Sequence, residues 1–292
     1  MLRVGIVGAR GQLGRYLVRV LGEYGASTPI RLDREQIDVT DRESVESALD
    51  SCPLNAIINT AAYHAQDSEV KVAESFLVNA VGARHLADAC EARGIHLAHI
   101  STDYVFSGKA KRPYVESSRP GPVNVYGLSK LAGEMAVRLA SRRHYIIRVA
   151  GLYGIGGCRA KHNTNFVETI LAKAARSETL EVVHEQVSSP TYALDAARAI
   201  AQLITTGKFG TYHVTNRGSC SWYEFAREIL AVSGYDAVCV PIVTSRRPGT
   251  SRRPSYTALE SRNLRRAGVP QPRGWRDALR DYLSERETVD NR

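Results

Sequence analysis

The sequence predicts an α/β fold, a doubly wound parallel sheet of the Rossmann type with a smaller interleaved α/β substrate lobe. Three observations predict it. The apolar run from Leu2 to Val7 leads directly into Gly8-Ala9-Arg10-Gly11-Gln12-Leu13-Gly14 and then into helix-like residues through Leu21. Short apolar runs then alternate with helical stretches as far as residue 150. After Gly151 that alternation loosens into shorter pieces.

Taken in order, Ile30 to Leu32 reads as a second strand, and Thr40-Asp41-Arg42-Glu43 as a capping box opening a helix to about Leu49. Ala56 to Asn59 is the third strand, Ser68 to Glu91 a long helix, and His96 to Ser101 the fourth strand. Asn124 to Leu139 is helical and Tyr145 to Val149 supplies the fifth strand. Strands separated by helices of this length imply right-handed crossovers and a sheet covered on both faces. Later come a helix from Thr164 to Ala175, a strand from Glu181 to Val183, a helix from Thr191 to Ile204 and a strand from Thr211 to Val214. Ser221 to Glu224 is a second capping box, and Trp222, Phe225, Ala226, Ile229 and Leu230 follow at the spacing of a buried helix face. The expected division is residues 1–150 plus about 186–208 for dinucleotide binding, and about 151–185 plus 209–292 for the substrate lobe. No linker isolates the lobe, and there is no internal repeat.

The glycines are the first chemical signal. In a strand-to-helix turn they let backbone approach a pyrophosphate, and the helix behind offers free N–H groups and the positive end of its dipole. A lone glycine triplet can be a mere tight turn, but this one follows the first strand, with Asp33 about twenty residues on at the end of the next. Asp33 suits the free 2′-hydroxyl of NAD, whereas Arg10 and Arg34 suit the 2′-phosphate of NADP. The two guanidinium groups tip the expectation to NADP. In such sheets ligands bind beyond the strand C-termini, so the glycine turn, Asp33, Asn59 to Tyr63, Ser101 to Asp103 and Val149 to Gly151 converge on one crevice.

Tyr126 and Lys130 are the second signal. They stand four apart on one predicted helix face. An ammonium held near a phenol favours the phenolate, and such a pair can exchange a proton with a carbonyl or alcohol oxygen. The same spacing also occurs on solvated helix faces, so the pair gains meaning only from its company.

Composition narrows the classes. With 292 residues, 43% of them hydrophobic, the chain can bury a large core. No apolar run approaches the roughly 20 residues of a membrane span, and the N-terminus enters a strand without a signal-peptide pattern, so a cytoplasmic protein is expected. Cys52, Cys90, Cys158, Cys220 and Cys239 are widely spaced, which argues against a disulfide framework and against a metal site. They read as small buried residues, with Cys158 in a Gly-rich loop the candidate for exposure. The formal charge of +9 comes from arginines dense near the C-terminus, among them Arg246, Arg247, Arg252, Arg253, Arg273, Arg276 and Arg280. Prolines and acids interrupt them and no aromatic stacking pattern accompanies them, which argues against nucleic acid. One or two fit the diphosphate of a small nucleotide better.

The order and spacing of further segments resemble the extended short-chain dehydrogenase/reductases, and within them the dTDP-4-dehydrorhamnose reductase family. The matching segments span nearly the whole chain: Gly8 to Gly14, Asn59 to Tyr63, Val78-Asn79-Ala80, Ser101 to Phe106, Pro113 to Glu116, Pro122 to Leu131, Asn165-Phe166-Val167, Gln186 to Thr191, Gly210 to His213 and Ser221 to Phe225. The resemblance implies NAD(P)H-dependent reduction of the C4 ketone of a sugar nucleotide. Tyr126 would be the general acid, Lys130 its partner and a ribose ligand, and Thr102 a hydrogen-bond donor to the same oxygen. Gly8, Gly11, Gln12, Leu13 and Gly14 would hold the pyrophosphate, with Asp38 and Val39 beside the adenine. Ala61, Ala62 and Tyr63 would line the crevice, and Asp103, Tyr104 and Asn165 would face the sugar. The related dehydratases carry Asp-Glu after the Ser-Thr, whereas Asp103 is followed here by Tyr104, and the epimerases usually carry an aromatic residue where this chain has Gln12-Leu13. Reduction is therefore preferred to elimination or epimerisation. A non-catalytic NADP-binding regulatory subunit is the alternative of another class, and a homodimer is the assembly expected. Two departures bear on the sugar: Gly151 replaces the tryptophan usual in the family, and His64 follows Tyr63, where a histidine is either a substrate contact or solvated.

Overall fold

The computed structural model describes residues 1–23, 27–157, 164–244 and 251–290. Cys158, Arg246 and Arg247 lie outside them. The strands β1 (Leu2–Val7), β2 (Ser27–Leu32), β3 (Ala56–Asn59), β4 (His96–Thr102), β5 (His144–Val149) and β6 (Gly210–His213) form one sheet in the order β6-β5-β4-β3-β1-β2. Every pairing in it is parallel. The sequence places Thr211 to Val214 in the substrate lobe; the pairing of Gly210–His213 with Tyr145–Arg148 corrects this and makes it the sixth strand.

Helices cover both faces. Ile58, Ala98 and Ile147 enter one core, whereas their chain neighbours Ile57, Leu97 and Ile146 enter the other. This is the two-residue side-chain period of a strand buried on both sides. Helices α1 (Gln12–Glu23), α2 (Arg42–Asp50), α3 (Gly82–Arg93), α4 (Val125–Ala140), α5 (Phe166–Ala175), α6 (Ala193–Leu203), α7 (Trp222–Ser233) and α8 (Trp275–Asp290) follow in chain order. The first core collects α1, α5, α6, α7 and α8, and the second α2, α3 and α4. Trp275, Leu279 and Tyr282 of α8 lie in the same core as Val4 and Ile6 of β1.

Two local expectations change. Asp41, not Thr40, caps α2, its side chain accepting from Glu43 N–H, while Thr40 bonds to Asp38. The long helix expected from Ser68 is broken into Ala65–Ser68, Val72–Phe76, a π-helical turn at Leu77–Val81 and α3. The Ser221/Glu224 capping box is present in both directions, 3.1 and 2.7 Å. Beyond the sheet the chain makes short ladders, Val187–Ser188 antiparallel to Cys220–Ser221 and Leu180–Val183 parallel to Cys239–Ile242.

Candidate active site

In the order 2-1-3-4-5-6 the strand connections reverse direction between β1 and β3, and such a switch point opens a crevice at the strand C-termini. A cleft of about 1110 Å³ lies there, lined from the glycine turn through Thr102 and Tyr126 to Trp222 and Arg253.

The glycine turn works through backbone. Gly8 sits at φ +76°, and a Cβ there would stand 2.8 Å from Thr60 Oγ1 and 3.2 Å from Ala61 N. Gly11 N–H returns to Gly8 O at 2.9 Å, closing the turn. The residues form a backbone cradle at the start of α1 that opens on the cleft. Gly14 differs from its expected role: it does not line the cleft, and its missing Cβ would be 2.4 Å from Gly8 O, so it lets the helix pack against the turn. Thr60 braces the turn from β3, donating to Val7 O at 2.7 Å, a contact that no motif flagged.

The acidic residue at the end of β2 is already engaged. Asp33 accepts from the Arg10 main-chain N–H at 3.0 Å and pairs with its guanidinium at 3.1 Å; Arg10 also meets Glu35 at 2.7 Å. Arg34 is exposed, paired with Asp38 at 3.5 Å. The charge on Asp33 is thus answered by Arg10, and Arg34 stands in solvent at the cleft mouth. Asp38, held below the usual carboxylate range chiefly by hydrogen bonds from Thr40, lines the cleft with the buried Val39.

Ala61, Ala62 and Tyr63 follow β3 along the wall. The π turn explains their placement: it aims Asn79 so that its Oδ1 accepts from Tyr63 N–H at 2.8 Å and its Nδ2 donates to Tyr63 O at 3.2 Å.

Helix α4 begins at an Asn124 cap whose Oδ1 accepts from Gly127 N–H at 2.7 Å. Its first turn carries Tyr126, half-buried and facing the cleft, with Tyr104 edge-on at 5.9 Å and His64 stacked at 6.3 Å between ring centroids. One turn on, Lys130 is 1% exposed, and burial lowers its pKa to about 8 against the opposing charge of Glu134. The Glu134 carboxylate is itself clamped by Arg148 at 2.8 and 2.7 Å and by Ser101 at 2.6 Å.

From the end of β4, Thr102 Oγ1 donates to Asp103 Oδ1 at 3.1 Å and accepts from Tyr104 N–H at 3.2 Å. Burial raises Asp103 to about 6 despite hydrogen bonds from Thr257, Thr102 and Ser188. Burial also pushes Tyr104 up to about 12, with Arg253 pulling the other way. Asn165 lines the cleft but spends its amide as a cap: Oδ1 accepts from Glu168 N–H at 3.2 Å and Nδ2 donates to Gly154 O at 3.0 Å. The cleft's far wall holds Phe166 and Trp222, rings 4.7 Å apart, and Phe225. Phe225, Ala226, Ile229 and Leu230 are core as expected, while Trp222 and Phe225 also face the cleft. Gly151 has φ +50°, and a Cβ there would sit 3.2 Å from Pro190 Cα, so the backbone is folded in a way that a tryptophan rarely adopts.

The basic C-terminal segment divides. Arg273 pairs with Asp195 and Asp281, Arg276 with Glu228 and Arg280 with Asp277, so these arginines serve the fold. Arg253 lines the cleft.

Residues 2–288 match the family described as the RmlD substrate binding domain. The spore coat polysaccharide biosynthesis protein SpsK of Bacillus subtilis is 38% identical over 99% of both chains. A dTDP-4-keto-6-deoxy-D-glucose reductase of Streptomyces niveus is 38% identical over 94% of each. Among solved structures, the dTDP-4-dehydrorhamnose reductase of Bacillus anthracis, in complex with NADP, superposes with a TM-score of 0.91 at 36% identity, covering 98% of this chain and 99% of that one. This chain belongs to the RmlD substrate-binding-domain family.

Proposed function

We propose that the protein is an NADPH-dependent reductase of the C4 ketone of a dTDP-deoxysugar, converting dTDP-4-dehydrorhamnose to dTDP-rhamnose. The observation that carries this reading is the convergence of Thr102, Tyr126 and Lys130 on one cleft whose other end is the glycine cradle. The named substrates of the relatives in Streptomyces niveus and Bacillus anthracis support the same class.

The bound nicotinamide cofactor supplies a hydride. Gly8, Gly11, Gln12 and Leu13 bind the pyrophosphate, Asp38 and Val39 flank the adenine, and Ala61, Ala62 and Tyr63 wall the middle of the cleft. Arg10 and Arg34 receive the 2′-phosphate, since Asp33 is neutralised by Arg10. Thr102 turns its hydroxyl hydrogen from Asp103 to the ketone oxygen, and Tyr126 delivers a proton to that oxygen. Acid catalysis of this kind is worth about 10²–10⁴-fold. Lys130 holds the ribose side of the cofactor next to Tyr126. Asp103 and Tyr104 face the sugar, and Asn165 sets the start of α5 beside it. Tyr104 stays a neutral phenol where the related dehydratases carry a carboxylic acid, which supports reduction over elimination. Arg253 meets the nucleotide diphosphate, and Phe166 and Trp222 supply the apolar wall that Gly151 does not.

Measuring NADPH oxidation across a panel of 4-keto dTDP-sugars tests the reading, with turnover expected on dTDP-4-dehydrorhamnose. Tight NADPH binding without turnover on any of them would instead favour a non-catalytic subunit. An Arg10→Ala variant that kept its NADPH/NADH preference would remove the 2′-phosphate assignment.

Among the described residues no helix is long and apolar enough to cross a membrane. The free Cys52, Cys90, Cys220 and Cys239 suit a reducing cytoplasm. A homodimer is part of the same reading: Leu77, Val81, Leu128, Met135 and Leu139 stand exposed on adjoining helices. Light scattering of the purified protein checks it.

A further inference from the structure

Behind Lys130 lies a row of buried polar groups that the reaction itself does not call on. Lys130 Nζ stands 3.4 Å from His99 Nε2 on β4, and His99 Nδ1 stands 3.2 Å from the Asn59 side-chain nitrogen on β3. Asn59 Oδ1 accepts from Ala61 N–H at 3.0 Å. Asn59, His99 and Lys130 are each at most 1% exposed, so donors and acceptors must be matched within the protein.

The row has a direction. A main-chain N–H is always a donor, so the Asn59 atom facing Ala61 must be its oxygen, and the atom facing His99 is then its NH₂. His99 Nδ1 must accept. A neutral ring that accepts at Nδ1 carries its hydrogen on Nε2, and Nε2 is the atom that faces the lysine. A second donor therefore points at Lys130 Nζ, which only an amine, with its lone pair, can accept.

We propose that Asn59 and His99 are positioning residues that set the protonation of Lys130, with the Asn59 amide locking His99 as the Nε2–H tautomer and that N–H favouring the lysine amine over the ammonium. The surroundings agree. His99 is held well below the usual imidazole range, first by burial, then by the charges of Lys130 and Arg138, so the ring is neutral. Burial brings Lys130 to about 8, opposed by Glu134 one turn further along the same helix. Tyr126, one turn back, contributes a phenol to the same face. The kinetic consequence rests on the reading of Lys130 as the partner of Tyr126: activity that needs the ammonium falls on the alkaline side, where the amine takes over.

The test reads the tautomer directly. The intact protein, with histidine ring nitrogens labelled with ¹⁵N and lysines with ¹³C, is followed by NMR from pH 6 to 9, alongside Asn59→Asp. His99 is assigned with His99→Gln. We expect His99 to be neutral with hydrogen on Nε2 throughout, and Lys130 to titrate below the other lysines. In Asn59→Asp the carboxylate accepts from Nδ1–H, the ring turns its lone pair to Lys130, and the lysine titration and the alkaline limb of kcat both move up by about one pH unit. A merely structural role would lower kcat equally at every pH. An Nδ1–H or doubly protonated His99 in the unaltered protein overturns the proposal even if no variant folds. So does an upward shift in Asn59→Asp with the tautomer unchanged, which would assign the effect to added charge alone. Because the tautomer is read without turnover, its failure is distinguishable from failure of the reductase reading.

Discussion

At the proposed cofactor end of the cleft, Gly8 and Gly11, with Gly14 packed behind them, are near neighbours in sequence and contribute backbone, whereas at the proposed sugar end Tyr104, Phe166, Trp222 and Arg253 arrive from separate segments and contribute side chains. On the proposed reading the first end recognises a group that every dinucleotide carries, and the second must recognise one sugar. Backbone recognition fixes a short, ordered pattern because only glycine satisfies the turn and the close helix contact, while side-chain recognition can be met from any element that reaches the cleft. Thr102 and Tyr126, the residues proposed to act on the ketone oxygen, sit between, on the end of β4 and the capped first turn of α4.

The largest effect that sharpens this contrast comes from the middle. Tyr126→Phe is expected to lower kcat by about 10²–10⁴-fold while NADPH affinity, read by fluorescence titration, stays within a small factor. At the sugar end, Arg253→Ala removes a charge-assisted contact worth about 1.5–3 kcal/mol, which raises KM for the sugar nucleotide by about 10–150-fold and leaves NADPH binding alone. If Arg253→Ala weakened NADPH binding instead, the division of the cleft would fail.

The next prediction concerns stability. Asp103 is raised to about 6 in the folded protein, chiefly by burial, so ionising it opposes folding. Its penalty is absent below the unfolded carboxyl value, grows as pH rises through about 4 to 6, and is full above that. Asp103→Asn is therefore expected to gain about 2–3 kcal/mol more over the parent at pH 7.5 than at pH 4, measured by urea unfolding. An equal difference at both pH values would reject the burial account. At the cofactor end, Gly14→Ala is expected to cost about 1–3 kcal/mol, since its Cβ would strike Gly8 O, and to loosen NADPH with it.

The same contrast explains what could be read from the chain. The strands around the switch point were legible as short apolar runs between helices, while the glycine turn, Asp33 and the Tyr126/Lys130 pair stand out as local patterns, each with a physical requirement, that line one cleft. Gly14 shares a motif with Gly8 and Gly11 but stands off the cleft lining, and spacing cannot tell a phosphate contact from a packing contact. The sixth strand was assigned to the lobe because a four-residue run carries no record of its partner, and only pairing with Tyr145–Arg148 reveals it. The π turn was invisible for a similar reason: it changes helical register without changing composition. Trp222 and Phe225 had the spacing of core residues and are core in part, yet the capped start of α7 also turns them to the cleft. Asn59 stood out only as the end of a strand and the start of a matching segment, and His99 sits between apolar neighbours in the middle of its strand. Their significance is a matter of which atom faces which, and that begins with the fold.

In the proposed reaction hydride is delivered to the C4 carbon while Tyr126 protonates its oxygen. Turnover of dTDP-4-dehydrorhamnose with NADPH deuterated at the transferring position, with the label located by NMR, separates the two roles. One deuterium is expected on C4 of dTDP-rhamnose, formed by the unaltered protein and nearly abolished in Tyr126→Phe. Deuterium at another sugar carbon, or undiminished transfer in Tyr126→Phe, would contradict it.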